Sequence, residues 1–460
     1  MADEPSAQPR PGAQPRPVTG GAVMTAVSQV TVALTGFLAT VAVARLLGPE
    51  GTAAFTVALS LFVMLMTVSS LGLESGLTWM VSARRWGARA AHAHAQAAAL
   101  VLGLGGMAIG LAARAIVPEA FQGVSVALVL VVCAGLPFAL SWLFSSYVAL
   151  AVDAYERYVV APALQSAVAL AGVAGLAVAF GIDGAIAGLA ASHVVTALVM
   201  LAWNRRRLPR DELPPRAGLP ALREATSFGV KSYSAHALQF LNYRLDLFIL
   251  NAVAASATVG HYSVAISVTS AMWLLPQALS AVVFPRVAQL TGTGDEAQRA
   301  MVEEKSLRHV AAITVVSGLA LAGALIGLVE LVYGSEFRPA IALGLILLPG
   351  VSLMGIANVL SATTVGRGFP IYSLYTALIT TPPTVVLYLV LVPALEATGA
   401  ALASTISYAL TFALTAHYYR RVTGLRIAPL LVPTRGELDD YRRVIGLVRE
   451  RLGRAAGAAS

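Results

Sequence analysis

Charged residues are scarce in this chain of 460 residues. Only 12% of the residues are Asp, Glu, Lys or Arg, whereas a typical soluble domain has about 25%. Hydrophobic residues make up 57% of the sequence and the mean hydropathy is +0.76. This composition excludes an ordinary soluble protein and indicates a polytopic membrane protein.

Cysteine and lysine are also scarce. The one cysteine, Cys133, lies in an apolar run, so it forms no internal disulfide or cysteine-rich metal site and is interpreted as a small buried hydrophobe. Neither Lys231 nor Lys305 follows a glycine, and a Walker A phosphate loop is therefore excluded. The histidines show no metal-ligand spacing. We therefore expect no ATPase, no metal site and no cofactor.

Apolar segments long enough to cross a bilayer, which takes about 20 residues each, recur twelve times. They predict an all-α integral membrane fold and are named spans 1 to 12. In chain order they are residues 21–47, 52–82, 90–113, 122–151, 158–180, 183–204, 226–252, 257–290, 307–333, 339–365, 370–392 and 398–420.

Basic residues are distributed unevenly between the two ends of these spans. Of the 31 Lys and Arg, 27 lie in the termini and in the connections that follow even-numbered spans. This bias predicts that both termini are cytoplasmic, and it explains the net charge of +8 without nucleic acid. The connections after odd-numbered spans are short, which leaves no room for an extracytoplasmic catalytic domain. We call their side the short-turn end and the opposite side the basic end.

The predicted domain organisation is two lobes with three flanking segments. Residues 1–20 form a tail too polar to bury a core, and residues 208–225 form a linker between the lobes. The C-terminal tail contains an amphipathic pattern at 436–453, which is either a helix held at an anionic inner leaflet or a loosely ordered tail. In order, the segments are 1–20, 21–207, 208–225, 226–421 and 422–460.

The second lobe repeats the first. Residues 51–61 (GTAAFTVALSL) match 258–268 (TVGHYSVAISV), and 184–192 (GAIAGLAAS) match 399–407 (GAALASTIS). Since each repeat holds an even number of spans, both enter the membrane from the same side. That arrangement predicts a pseudo-two-fold axis along the membrane normal, with the substrate path between the lobes.

Span 7 carries the most unusual residues, Arg244 and Asp246, flanked by Asn242 and Asn251. A charge at the bilayer centre costs about 2.5–3.5 kcal/mol on insertion scales, so such groups face a protein interior or a wet cavity. Arg244 and Asp246 lie on opposite faces of a helix. Either Arg244 contacts substrate and Asp246 is structural, or Asp246 binds a coupling proton or sodium ion and Arg244 pairs with a carboxylate.

Three further residues are candidates for the transport path. Gln29 is the polar residue of span 1 least easily explained by packing. Glu74 in span 2 is interpreted as a gate residue or as the partner of an arginine at the basic end. Arg84 is first a determinant of topology, with initial capture of an anionic substrate group as the alternative.

Several motifs together resemble a known family. They are ARLLGPEGTAAF (44–55), SLGLESGLTWMVSAR (70–84), LNYRLDLFILN (241–251) and TVGHYSVA (258–265). Their order, with twelve spans in two repeats, is similar to that of the bacterial oligosaccharide flippases. These belong to the superfamily that also contains the multidrug MATE exporters and the lipid II flippases.

The resemblance implies an activity that the composition alone does not. A member of this family moves oligosaccharide linked to undecaprenyl diphosphate from the inner to the outer leaflet of the cytoplasmic membrane, by alternating access, for surface polysaccharide biosynthesis. It is a transporter, not an enzyme, and its implied partners are membrane lipids, a polysaccharide polymerase and glycosyltransferases. The alternatives are an ion-coupled multidrug exporter and a lipid II flippase.

Overall fold

The computed structural model describes residues 18–209, 219–425 and 427; within these, some side chains between 18 and 26 and between 231 and 243 are not described. The described chain consists of α-helices joined by short turns. The helices are Val18–Ser70, Leu73–Ser82, Ala88–Ile116, Val126–Ala134, Leu136–Ala151, Tyr155–Arg207, Leu219–Val253, Ser256–Ser270, Leu274–Thr293, Glu296–Tyr333, Pro339–Gly366 and Ile371–Thr423. Single 3-10 turns occupy Pro118–Phe121, Ala271–Trp273 and Ser335–Phe337.

These helices confirm the all-α fold of about twelve spans. Eight helical segments of the described chain are long and apolar enough to cross a membrane. Three of them, Val27–Ser70, Tyr155–Arg207 and Ile371–Thr423, each contain two predicted spans around a break in helical geometry. Span 7 is helical over Leu219–Val253 but is not among the eight, in keeping with its polar residues.

Two helices begin before the apolar spans that they contain. The helix of span 7 starts at Leu219 instead of 226, and the helix of span 9 starts at Glu296 instead of 307. Residues 296–306 are too charged to count as a span, yet an Asp295 carboxylate oxygen accepts the Gln298 N–H at 3.0 Å, which caps the helix. Acidic and basic side chains three and four residues apart add a few tenths of a kcal/mol each.

The turn inside the last helical hairpin of each lobe has the same unusual backbone. Gly181 has φ 59° and ψ −137°, and Glu396 has φ 50° and ψ −127°. The two residues are 215 positions apart, which is also the offset between 184–192 and 399–407. Span 12 folds back on span 11 there. The Tyr388 hydroxyl lies 3.0 Å from Ser404 Oγ, whereas a straight helix would separate these residues by about 24 Å.

Glycine should therefore relieve strain at position 396. A residue with a Cβ pays about 1–3 kcal/mol in such a backbone region, so Glu396→Gly is expected to raise the free energy of unfolding by about 1–2 kcal/mol. Glu396→Ala removes the same charge and keeps the Cβ, and it should leave the stability unchanged. Thermal unfolding of the purified protein measures both, and equal midpoints for the two variants would show that position 396 is unstrained.

The chain divides into two compact units, each described by itself. Unit 1 comprises Met1–Val268, Gly327–Gly344 and Thr381–Ser404, and unit 2 comprises Thr269–Ile326, Leu345–Thr380 and Thr405–Ser460. Unit 1 therefore contains the first lobe, span 7 and the short-turn ends of spans 8 to 12. The basic ends of spans 8 to 12 belong to unit 2.

In unit 1 the core beside span 2 is built around small residues. Alanines recur on one face of span 3 and are fully or almost fully buried, so larger side chains of spans 2 and 4 pack closely over them. The alanines are Ala88, Ala91, Ala95, Ala98 and Ala99, and the larger residues include Leu73, Leu77, Met80, Leu140 and Phe144.

At the short-turn end of unit 1, Arg45 ties the end of span 1 to the end of span 9. Its Nε donates to the Val332 carbonyl oxygen at 2.8 Å, and its Nη2 donates to the Leu331 carbonyl oxygen. The last carbonyl groups of a helix have no partner within the helix, and a cation there also interacts favourably with the helix dipole. Arg45 therefore caps the helix that ends at Tyr333.

Candidate functional site

Arg244 lies near the middle of the membrane-spanning part of span 7. It is nine residues from Val253, where the helix ends, or about 13.5 Å along the axis. Its side chain is partly exposed, and its guanidinium carbon lies 6.0 Å from the centre of the Phe240 ring. No carboxylate lies within ion-pair distance of Arg244 among the described residues. A guanidinium at this depth is therefore available to an anionic ligand.

Asp246, by contrast, is buried among hydroxyl groups, with 2% of its surface exposed. The Tyr262 hydroxyl donates to Asp246 Oδ2 at 2.6 Å, and Ser404 Oγ lies 3.5 Å from the same oxygen. The Tyr388 hydroxyl lies 3.0 Å from Ser404 Oγ. These contacts join spans 7, 8, 11 and 12 in unit 1. We call these four residues the Asp246 cluster.

This cluster fits a structural role for Asp246. Hydroxyl donors within hydrogen-bond distance stabilise a buried carboxylate in place of water. The hydrogen bonds of the cluster connect span 7 to spans 8 and 12. Arg244 is then the residue of the pair that remains accessible.

Glu74 lies in unit 1 near the basic end, with 4% of its surface exposed. Its Oε1 is 3.5 Å from Ser70 Oγ, and its Oε2 is buried without a hydrogen-bond partner in the described chain. A buried carboxylate that lacks donors is costly when ionised. The buried Glu74 side chain is therefore stabilised either by protonation or by a ligand that donates hydrogen bonds to the carboxylate.

Four tyrosines surround this part of unit 1. Tyr147 in span 4 and Tyr233 in span 7 are near enough to feel the charge of Glu74. The Tyr147 and Tyr158 rings meet edge to face with centres 5.2 Å apart, and the Tyr158 and Tyr155 ring centres are 6.0 Å apart. All four are partly exposed. Glu74 with these tyrosines is called the Glu74–tyrosine cluster.

Close packing of spans 2 and 7 holds this cluster together. A Cβ added to Gly72 would lie 2.5 Å from the Gly229 carbonyl oxygen, so only glycine permits this approach. One turn farther toward the basic end, the Trp79 and Phe228 rings stack with centres 4.7 Å apart. Tyr233 lies one turn after Gly229 and is thereby placed beside Glu74.

The remaining predicted site residues, Gln29, Arg84 and Asn242, lie on three different parts of the chain. Gln29 is exposed on span 1, beside Ser28, whose hydroxyl donates to the Val159 carbonyl oxygen at 2.7 Å. Arg84 is exposed just after the helix Leu73–Ser82 and has a φ of 55°. Asn242 lies in the helix of span 7, but its side chain is outside the described residues.

Sequence reasoning missed the tyrosines of the Glu74–tyrosine cluster. Their only signal in the sequence is that partly polar rings occur at the basic ends of spans 4, 5 and 7. That position is also typical of an aromatic belt at a membrane interface. Only the structure shows that Tyr147 and Tyr233, on different spans, are both near enough to feel the charge of Glu74.

Comparison with solved structures shows which fold positions these residues. An inward-facing MATE family transporter of the MOP superfamily is similar with a TM-score of 0.72 and 17% identity, over 88% of this chain and 98% of that one. The lipid II flippase MurJ, in an inward closed conformation, is similar with a TM-score of 0.71 and 13% identity, over 86% and 87%.

A third solved structure, a MOP superfamily transporter from Pyrococcus furiosus described as having a binding pocket of reverse polarity, has a TM-score of 0.61 and 17% identity, over 90% of this chain and 96% of that one. At these identities the likeness shows the fold. No curated protein matches the sequence significantly.

Comparison with family models gives the family. The model described as polysaccharide biosynthesis protein matches residues 42–342. That match includes the last six residues of span 1, all of spans 2 to 9, and the Glu74, Arg244 and Asp246 positions. The chain therefore belongs to the polysaccharide biosynthesis protein family and has the fold of the MOP superfamily transporters.

Proposed function

We propose that this protein is a flippase for oligosaccharide linked to undecaprenyl diphosphate, in the cytoplasmic membrane with both termini cytoplasmic. The family match and the MOP superfamily fold support membrane translocation in polysaccharide biosynthesis. The observation that carries the choice of substrate is the accessible Arg244 at mid-membrane depth. A cation that has no carboxylate within ion-pair distance among the described residues suits a diphosphate better than it suits the cationic drugs of an exporter.

The Glu74–tyrosine cluster supplies the complementary site for sugar in this proposal. Tyrosine rings offer apolar faces, and their hydroxyls, with the Glu74 carboxyl group, offer hydrogen bonds. Tyr233 and Arg244 are eleven residues apart on one helix, or about 16.5 Å along the axis. A diphosphate at Arg244 and sugar hydroxyls near Glu74 would therefore be separated by the length of a short oligosaccharide.

A deletion strain tests the proposed function. We expect polyprenyl-linked oligosaccharide to accumulate in the inner leaflet and surface polysaccharide to be lost. The mass of the accumulated lipid identifies the substrate. Unchanged glycan with altered sensitivity to toxic compounds would identify an exporter, and accumulation of lipid II would identify a lipid II flippase.

Binding of two lipids distinguishes the roles of the two sites. We expect Glu74→Ala to weaken binding of the lipid-linked oligosaccharide about tenfold, the loss of one or two hydrogen bonds, while binding of sugar-free undecaprenyl diphosphate is unchanged. Arg244→Ala should weaken binding of both lipids. Native mass spectrometry of the purified variants measures these affinities, and equal losses for both lipids in Glu74→Ala would contradict a sugar site at Glu74.

A further inference from the structure

Arg157 is a buried cation on the first lobe, in the first turn of the helix Tyr155–Arg207 at the basic end. Only 5% of its surface is exposed. Its Nη1 donates to Asn204 Oδ1 at 2.9 Å, and its Nε is buried without a hydrogen-bond partner. A guanidinium carries five N–H donors, and this is the one hydrogen bond that the Arg157 side chain makes within the described chain.

The position of Arg157 is fixed by a network that continues into the lobe. Asn204 is fully buried, and its Nδ2 donates to the Ser145 carbonyl oxygen at 2.8 Å. Ser145 Oγ lies 3.1 Å from both His92 Nε2 and Gln96 Nε2. None of these partners carries a negative charge, and the Asn204 oxygen already accepts the Arg157 hydrogen bond. The network therefore orients the guanidinium without neutralising its charge.

The charges around Arg157 add to the excess of positive charge at this end of the lobe. Arg207 acts on Arg157 as a like charge, and Glu156 is the nearby carboxylate that offsets it in part. Arg205 and Arg157 both act on His92, so three arginines share this end of the lobe. No ion pair joins Arg157 to a carboxylate among residues 18–209 and 219–425. A buried cation without a counter-ion is unfavourable unless an anion completes the site.

We propose that Arg157 is the centre of a binding site for a phosphate group, distinct from Arg244. The Arg157 helix also carries Tyr155 and Tyr158 of the Glu74–tyrosine cluster. A phosphate oxygen suits the free N–H groups of a guanidinium, which bind such oxygens in pairs. The site lies where spans 5 and 6 meet the basic end, the depth of lipid head groups in the inner leaflet. Basic pockets between helices at this depth bind anionic head groups, so phospholipid phosphate is the expected source.

Lipid binding to the purified full-length protein tests this proposal. Native mass spectrometry should detect phosphatidylglycerol bound to the wild type. The Arg157→Gln variant should bind at least one molecule fewer, and its affinity for phosphatidylglycerol should be at least tenfold lower. Arg206→Gln, an exposed arginine in the last turn of the same helix, removes an equal charge and should bind as the wild type does. Arg157→Lys keeps the charge but lacks the guanidinium fork and should restore little of the affinity.

The design separates the two sources of phosphate. Stabilisation by vesicles of phosphatidylglycerol but not by inorganic phosphate in phosphatidylcholine identifies the lipid, and the converse identifies a free anion; both support the site. If Arg157→Gln does not fold, the Arg157→Lys comparison decides. Equal phosphatidylglycerol affinity in the wild type, Arg206→Gln and a folded Arg157 variant, with no effect of inorganic phosphate, would overturn the proposal.

Discussion

Arg244→Ala is expected to abolish glycan export while the protein inserts and accumulates normally. A hydrogen bond to a charged group contributes about 1.5–3 kcal/mol, so losing the contact with a diphosphate should reduce the transport rate about 10- to 100-fold. Because Arg244 has no carboxylate partner among the described residues, its removal should leave the stability close to that of the wild type. Surface polysaccharide in a complemented deletion strain, with immunoblots for protein level, measures the effect.

Two further variants sharpen the Arg244 prediction. Arg244→Lys should restore little transport if both guanidinium edges contact the diphosphate, since an ammonium is a point charge. Arg338→Ala is the matched control, because Arg338 lies at the short-turn end with 80% of its side chain exposed and forms an ion pair with Glu330. Normal export by Arg244→Ala would remove Arg244 from the substrate path.

Glu303→Gln is expected to cause the largest loss of stability. Glu303 is fully buried in unit 2, and both of its oxygens accept hydrogen bonds from Arg367, with Arg367 Nε 2.6 Å from Oε1. Arg367 Nη1 also donates to the Val422 carbonyl oxygen at 3.1 Å, and the Glu303 carboxylate raises the pKa of Arg367. Breaking a buried ion pair on one side typically costs about 3–5 kcal/mol. Thermal unfolding in detergent measures the loss.

The neighbouring residue provides the control for Glu303. Glu304 pairs with Arg308 at 3.7 Å on a partly exposed surface, and such a pair contributes about 0.3–0.5 kcal/mol. Glu304→Gln should therefore be nearly neutral. The double variant Glu303→Leu with Arg367→Met removes both charges of the pair, leaves Arg299 paired with Glu296 at 3.6 Å, and should recover most of the stability. A loss for Glu303→Gln as small as that for Glu304→Gln would show that the ion pair contributes little.

The sequence allowed the spans and the repeat to be predicted because a bilayer imposes a strong local signal. About 20 apolar residues mark each span, and the equivalence of Gly181 and Glu396 follows from the offset of the repeat. The same rule finds only the apolar part of the helix Glu296–Tyr333, since a helix that leaves the membrane is charged. The ion pair of Glu303 with Arg367 was missed for this reason.

The site was less predictable because its contacts are distant in sequence. Arg244 and Asp246 attract attention as charges in an apolar segment, but their difference in burial depends on Tyr262 and on Ser404, which is 158 residues away. Glu74 was predicted as a candidate, whereas its tyrosine neighbours come from three other spans. Periodicity places a residue on a helix face and does not say which helix covers that face.

The cap that Arg45 forms on span 9 joins two parts of the chain that are synthesised at different times. Arg45 and Val332 are 287 residues apart, and ribosomes add about 5–20 residues per second, so the carbonyl oxygens emerge about 14–57 s after the arginine. During that interval the Arg45 guanidinium lacks these two acceptors on span 9. The first lobe therefore cannot finish its short-turn end on its own, and nascent chains that stop before span 9 lack this contact.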